Sequence, residues 1–224
     1  MTEVMDCGRI AELLLPFAGK VELPPGILEQ LQLYLDLLLR WNARVNLTSI
    51  RTPEEVVTRH FGESLFAARI LAGDSAKRHA NPKPLMTLAD VGSGGGFPGI
   101  PIKLWAPDVR LTLIESQNKK ATFLREVLRA LKLEDAEVFF GRAEKWGKTA
   151  DVVTLRAVEQ FEAVLPVAAA LVAPNGRLCL LVGEGQIEVV RRVAGPLWTW
   201  DEPVFVPRSA KRVILIGKKN QAQL

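Results

Sequence analysis

Met86 to Val91 is an apolar run that leads straight into Gly92, Gly94, Gly95 and Gly96, with Pro98 and Pro101 where a helix would begin. Four glycines in five residues between a strand and a helix carry a large conformational-entropy cost, which close approach of a ligand to the backbone justifies. Proline is tolerated in a first helical turn because its missing N–H would be unpaired there anyway. The stretch therefore predicts a strand, a backbone-lined loop and a helix starting near Pro98, whose first amides would be free for a polar ligand.

Two ligand classes fit such a loop. Gly94, Gly96 and Gly99 satisfy G-x-G-x-x-G, a weak dinucleotide fingerprint by itself. Asp90, Gly92, Gly94 and Gly96 form the overlapping D-x-G-x-G-x-G, followed by Glu115 and Ser116 at the end of the next apolar run. That second pattern resembles the first motif of S-adenosyl-L-methionine (AdoMet) methyltransferases. Glu115 is placed to accept hydrogen bonds from ribose hydroxyls in either case, so the acid does not separate the two.

The rest of the chain decides between them. Residues 1 to about 84 read as helical: Ile27, Leu28, Leu31, Leu35, Leu38 and Leu39 recur at helical spacing after Pro24 and Pro25. Thr52 and Pro53 start a further helix as N-cap and first residue, with Val56, Val57, Phe61, Leu65, Ala68 and Leu71 as its buried stripe. Gly73 to Pro84 reads as an exposed connector. Beyond it, strands are predicted at Met86 to Val91, Arg110 to Glu115, Glu137 to Phe140, Val152 to Leu155 and Arg177 to Val182. The helices between them span about Pro98 to Trp105, Gln117 to Leu131, Phe161 to Val172 and Gly185 to Ala194. Apolar strands joined by helices indicate a parallel sheet covered on both faces.

Trp198 to Val206 and Arg212 to Gly217 are separated by too few residues for a parallel crossover, so they are expected to form an antiparallel hairpin. A dinucleotide dehydrogenase would repeat the first half and add a substrate domain, for which 224 residues leave little room. The expected fold is thus α/β: a seven-stranded, Rossmann-like AdoMet methyltransferase sheet with a C-terminal antiparallel hairpin. Residues 1–84 would be a helical extension packed on a core of residues 85–224, the whole forming one structural unit.

A net charge of +4 tilts the chain towards polyanionic partners. Cys7 and Cys179 are its only cysteines, which excludes a disulfide framework or a cysteine metal cluster. The opening residues lack a signal peptide's layout and the longest uncharged run, Ala163 to Gly176, is too short for a bilayer. A cytoplasmic protein without a membrane partner or a metal is expected.

Several segments together resemble one family, the bacterial small-subunit rRNA guanine-N7 methyltransferases, also called glucose-inhibited division protein B. They are Trp41-Asn42 with Asn46-Leu47-Thr48, Arg59-His60 with Ser64-Leu65, Asp90 to Pro101, Arg142-Ala143-Glu144, Arg156-Ala157, and Lys211-Arg212. Glu63 departs from the family's pattern, where an aspartate is expected. The resemblance implies that Gly92 and Phe97 contact AdoMet, that Ala143 and Glu144 lie by its adenine, and that Arg156 borders the cofactor site. With Gly94, Gly96, Glu115 and Ser116 these make the expected cofactor set, and Arg156 is also the candidate catalytic residue. The substrate implied is 16S rRNA or the small ribosomal subunit. A monomer is the favoured reading.

Arg59, His60, Arg208, Lys211 and Arg212 are the RNA-binding candidates. A lone histidine more often packs than catalyses, and Arg59 suits phosphate as well as structure. Arg125, Arg129 and Lys132 read as a solvated helix face, and Trp198 and Trp200, on one side of a strand, as core. Guanine N7 has a lone pair and no proton, so its methylation needs positioning and no general base, in keeping with the lack of a Ser/His/Asp set or paired carboxylates. A methyltransferase of proteins or small molecules, and a non-catalytic AdoMet- or nucleotide-binding module, fit the same fold.

Overall fold

The computed structural model describes residues 5–73, 86–158 and 160–220; beyond Gly73, the predicted connector lies outside them. In chain order the elements are α1 (Cys7–Ala18), α2 (Pro25–Asn42), α3 (Pro53–Glu55), a π-helical turn (Val56–Gly62), α4 (Glu63–Ala72), β1 (Thr87–Val91), α5 (Gly99–Trp105), β2 (Arg110–Glu115), α6 (Asn118–Ala130) and β3 (Ala136–Phe140). There follow a 3-10 turn (Ala143–Lys145), β4 (Ala150–Arg156), α7 (Phe161–Ala170), β5 (Val172–Gly183), a second 3-10 turn (Glu184–Gln186), α8 (Ile187–Ala194), β6 (Trp198–Trp200), β7 (Val204–Phe205) and β8 (Arg212–Lys219).

The strands form one sheet in the order β3-β2-β1-β4-β5-β8-β6. The first five are mutually parallel, and β8 runs antiparallel to β5. Alternation along the strands supplies both faces. Leu88, Leu111, Leu113 and Val152 point into one apolar cluster with α1, α2, α4, α5 and α6. Ala89, Val91, Val153 and Leu155 point into the other with α7 and α8. Strands buried on both sides are apolar throughout, which is why they are readable as a parallel sheet.

The expected C-terminal hairpin forms, but its first strand is broken. β6 and β7 lie along the same edge of β8, with Trp200 opposite Gly217 and Val204 opposite Ile214. One strand thus spends a residue more than the other across Asp201, Glu202 and Pro203, a bulge in which Pro203 has no N–H to give to the ladder. Trp198 and Trp200 do share a face, their rings stacked 5.8 Å apart over the second cluster. Arg125, Arg129 and Lys132 are exposed, as a solvated face requires.

Thr52 caps the helix of residues 53–72 as expected, its hydroxyl oxygen accepting from Glu55 N. The helix is not uniform, however. It widens into a π turn over Val56–Gly62, which buries Phe61 while leaving Arg59 and His60 on the open side. No helix among the described residues is long and apolar enough to cross a membrane.

Candidate active site

The sheet order reverses between β1 and β4, and ligands of open α/β sheets bind outside the strand ends at such a switch point. A cavity of about 770 Å³ opens there. Gly92, Gly94, Phe97, Glu115, Ser116, Ala143, Glu144 and Arg156 all line it, and so do Arg59, His60 and Arg212. Gly96, Arg208 and Lys211 do not.

The loop after β1 is pinned to β2: Gly92 N and Ser93 N both donate to Ile114 O, at 2.9 and 3.1 Å. Gly94 N donates to Glu115 Oε2 at 2.9 Å and Gln117 N to Oε1 at 2.7 Å. Two amides therefore orient the Glu115 carboxylate, whose remaining lone pairs suit the two hydroxyls of a ribose. Gly94 has φ +55°, and a Cβ there would meet nothing nearer than Gly92 O at 3.8 Å. The space before it is open for a ligand.

Gly96 has a different purpose. A Cβ on it would come within 2.4 Å of the Tyr34 hydroxyl and 2.6 Å of Ile100. Its bareness makes room for the helical layer, so it supports the loop from behind instead of touching the cavity. Tyr34, on α2, donates its hydroxyl proton to Gly95 O and stacks on Phe97 at 5.4 Å. This tie between helical layer and loop has no signature in the motif, although Tyr34 falls on the helical stripe between Leu31 and Leu38.

The amides at the start of α5 are not free, contrary to expectation. Gly99 N donates to Asp90 Oδ2, Ile100 N to Gly96 O and Ile102 N to Pro98 O, while Pro98 and Pro101 have no N–H. Asp90 is fully buried and also accepts from Thr154 Oγ1 at 2.6 Å. It locks β1, β4 and the helix start together behind the loop. Burial pushes its carboxyl up to about 6 against these hydrogen bonds.

On the opposite wall, Asn42 Oδ1 accepts from Leu47 N and Thr48 N at 2.9 and 3.0 Å, folding the segment after α2 back on itself. Thr48 Oγ1 thereby meets His60 Nε2 at 2.7 Å. The His60 ring lies flat against Phe97, with centroids 4.5 Å apart. Its Nδ1 is buried without a partner. Burial first, then the charges of Arg156, Arg59 and Arg212, push its pKa down to about 2, so it is neutral. A neutral ring packed on an aromatic is no general base near pH 7.

Arg156 ends β4 and joins three elements. Its Nη2 donates to Arg59 O, a carbonyl of the π turn, at 2.5 Å and to Glu63 Oε2 at 2.9 Å. Glu63 also accepts from Arg212 Nη1 at 2.7 and 3.0 Å. Burial lowers the Arg156 pKa to about 10 and the Glu63 carboxylate opposes this, so the guanidinium stays charged at neutral pH. Its Nη1 is buried and unpartnered, and the residue lines the cavity. Glu63 is the functional neighbour that sequence reasoning noted without assigning it a role.

An open glycine turn, an amide-oriented carboxylate and a polar turn after β3 together fit an adenosyl group. The fold recurs in solved structures. A variant of MtNAS in complex with S-adenosylmethionine superposes with a TM-score of 0.58 at 15% identity, over 86% of this chain and 75% of that one. P. horikoshii TYW2 in complex with MeSAdo gives 0.55 at 17% identity, over 71% and 62%. These share the fold. Closer in sequence is the ribosomal RNA small subunit methyltransferase G of Xanthomonas euvesicatoria pv. vesicatoria, 39% identical over 78% of each chain. That of Aquifex aeolicus is 47% identical over 59% of this chain and 64% of its own. The family model GidB, rRNA small subunit methyltransferase G, matches residues 27–199. With the motif segments assembled around one cavity and that match over most of its length, the chain belongs to the rRNA small subunit methyltransferase G family.

Proposed function

We propose that the protein transfers a methyl group from AdoMet to N7 of a guanine in 16S rRNA. The observation that carries this is the convergence, on one cavity, of the AdoMet-type loop with Glu115 and of Arg59, His60, Arg156 and Arg212 from the other wall. Family membership supports the substrate, and the cofactor is supported by the fit of the loop. AdoMet, when bound, supplies a methyl carbon on a positively charged sulfur.

The chain's own part is to position. Glu115 would hold the ribose and the bare face of Gly94 would admit the ligand, while Ala143 and Glu144, on the same cavity, would lie by the adenine. Phe97, backed by His60 and Tyr34, forms an aromatic wall. Arg156 borders both ligands and is the candidate catalytic residue. N7 brings its own lone pair, so nothing here must accept a proton, and in-line alignment supplies the rate. The target guanine must leave its stack, because an A-form helix hides N7 in a deep, narrow groove.

We infer a cytoplasmic monomer, the compartment following from the proposed substrate. Residues 1–84 and 85–224 act as one unit, a reading supported by the apolar cluster that α2 and the sheet share. Transfer of labelled methyl from AdoMet to small subunits or 16S rRNA, followed by nucleoside digestion, tests the function. The expected product is 7-methylguanosine. Label only in protein or small molecules, or bound AdoMet with no transfer, contradicts it.

A further inference from the structure

The corner of the cavity between the π turn, the end of β4 and the start of β8 holds more positive charge than the protein neutralises. Arg59, Arg156 and Arg212 all line it, with Glu63 as their carboxylate. Both Glu63 oxygens are engaged by Arg156 and Arg212. The Arg59 guanidinium has no hydrogen-bond or ion-pair partner among the described residues. Arg156 has a second nitrogen, Nη1, buried and unpartnered, on a side chain only 5% exposed. Leaving a buried guanidinium N–H without an acceptor is costly, and an arriving oxyanion relieves that cost.

Position in the sheet separates this corner from the ribose-binding acid. Glu115 ends β2 and the glycine loop follows β1, whereas Arg156 ends β4 and Arg212 begins β8, with β5 between them. At about 4.8 Å per strand, the corner runs from Arg156, roughly 5 Å along the sheet from the glycine loop and roughly 10 Å from Glu115, to Arg212, roughly 14 and 19 Å from them. The corner is thus on the far side of the loop from the ribose-binding acid.

Resting on the function proposed above, we propose that this corner is a phosphodiester site. Arg156 Nη1 and the Arg59 guanidinium bind the nonbridging oxygens of a phosphate flanking the target guanosine. Glu63 fixes Arg156 through its other nitrogen and leaves Nη1 without a protein partner beside the cavity, and Arg212 closes the rim. The phosphate then anchors the extruded nucleotide next to the reacting atoms, unlike a contact at exposed Lys211, outside the cavity. The carboxylate of the cofactor's methionine is the other oxyanion with the same chemistry, and the test separates them.

The test uses the full chain carrying Arg59→Gln or Arg59→Lys; Arg59 holds no partner whose loss would unfold the protein. For Arg59→Gln, the slope of log affinity for 16S rRNA against log salt should become shallower by about 0.7 to 0.9. Its single-turnover methyl transfer at saturating RNA should fall at least about tenfold, because the lost phosphate positions the target. Arg59→Lys keeps the charge and should restore the slope. Affinities for AdoMet and for methylthioadenosine, which lacks the carboxylate, should both be unchanged. An unchanged slope in Arg59→Gln overturns the proposal, as does weaker AdoMet binding with methylthioadenosine unaffected, which assigns the corner to the cofactor. Wild-type protein that methylates 16S rRNA while Arg59→Gln behaves identically defeats this inference alone. Wild-type protein that methylates no RNA defeats the function beneath it.

Discussion

Glu63 Oε2 and Arg156 Nη2 meet at 2.9 Å with both side chains 5% exposed, so a buried ion pair fastens the N-terminal helical layer to the end of β4. Removing one partner of such a pair leaves an uncompensated buried charge. Glu63→Gln is expected to destabilise the fold by about 3 kcal/mol, read from urea unfolding. Arg212→Ala, whose side chain is 36% exposed, should cost about 1 kcal/mol or less because water replaces much of that pair. Equal losses for the two would mean that Glu63 and Arg156 are not shielded as described.

The glycines of the loop should separate by role. Gly94→Val should still fold, at a cost from placing a β-branched residue at φ +55°, and lose AdoMet binding, because its side chain projects into open ligand space. Gly96→Ala should lose stability, since its Cβ would run into Tyr34 and Ile100. Calorimetric titration and thermal unfolding of the two variants check this. Undiminished AdoMet affinity in folded Gly94→Val would falsify the placement of the cofactor.

Tyr34→Phe keeps the ring stacked on Phe97 and deletes only the hydroxyl that donates to Gly95 O. That hydrogen bond holds the loop's shape, so AdoMet affinity should drop about fivefold, equivalent to about 1 kcal/mol. An affinity equal to wild type would show that the loop keeps its form without α2.

How much of this was legible beforehand follows from what each residue interacts with. Leu88, Leu111 and Val152 announce a parallel sheet because strands covered on both faces must be apolar, and Asp90 to Gly96 announces a ligand loop because glycine needs a reason. Neither signal depends on distant partners. Gly96, by contrast, belongs to the same motif as Gly94 but serves Tyr34, 62 positions earlier in the chain. Glu63 and Arg156 are 93 residues apart, and no local pattern reveals that they pair. The π turn was hidden for the same reason: Val56, Val57 and Phe61 satisfy a helical stripe, while the widening shows only in its backbone and in the Arg59 carbonyl that Arg156 takes. The bulge at Pro203 was readable from the proline and was missed.

Acid should expose the state of His60. Its pKa falls from 6.5 to about 2 on folding, so the unfolded chain binds a proton that the folded one refuses. The stability contributed is complete above the unfolded value and is lost as pH falls below it, by about 1.4 kcal/mol per unit. Asp90 acts in the opposite sense, since its pKa rises from 3.8 to about 6 and the folded carboxyl holds its proton more tightly as pH falls. Comparing wild type with His60→Gln removes the Asp90 contribution from the difference. Relative to that variant, wild type should lose about 1 kcal/mol of unfolding free energy between about pH 7 and 5.5. A difference that stays constant with pH means that His60 is not held neutral.

On the proposed function, methyl transfer in this cavity rests on positioning, with no residue acting as a base. His60 titrates near 2 and Arg156 near 10, so neither changes charge around neutrality, and the Asp90 carboxyl, near 6, lies behind the loop. Single-turnover methyl transfer at saturating AdoMet and 16S rRNA reports the chemical step without product release. Between about pH 7 and 8.5 the rate should stay constant within about twofold. A rate rising about tenfold per pH unit, with folding and RNA binding unchanged, would show that a base is required and would contradict the account.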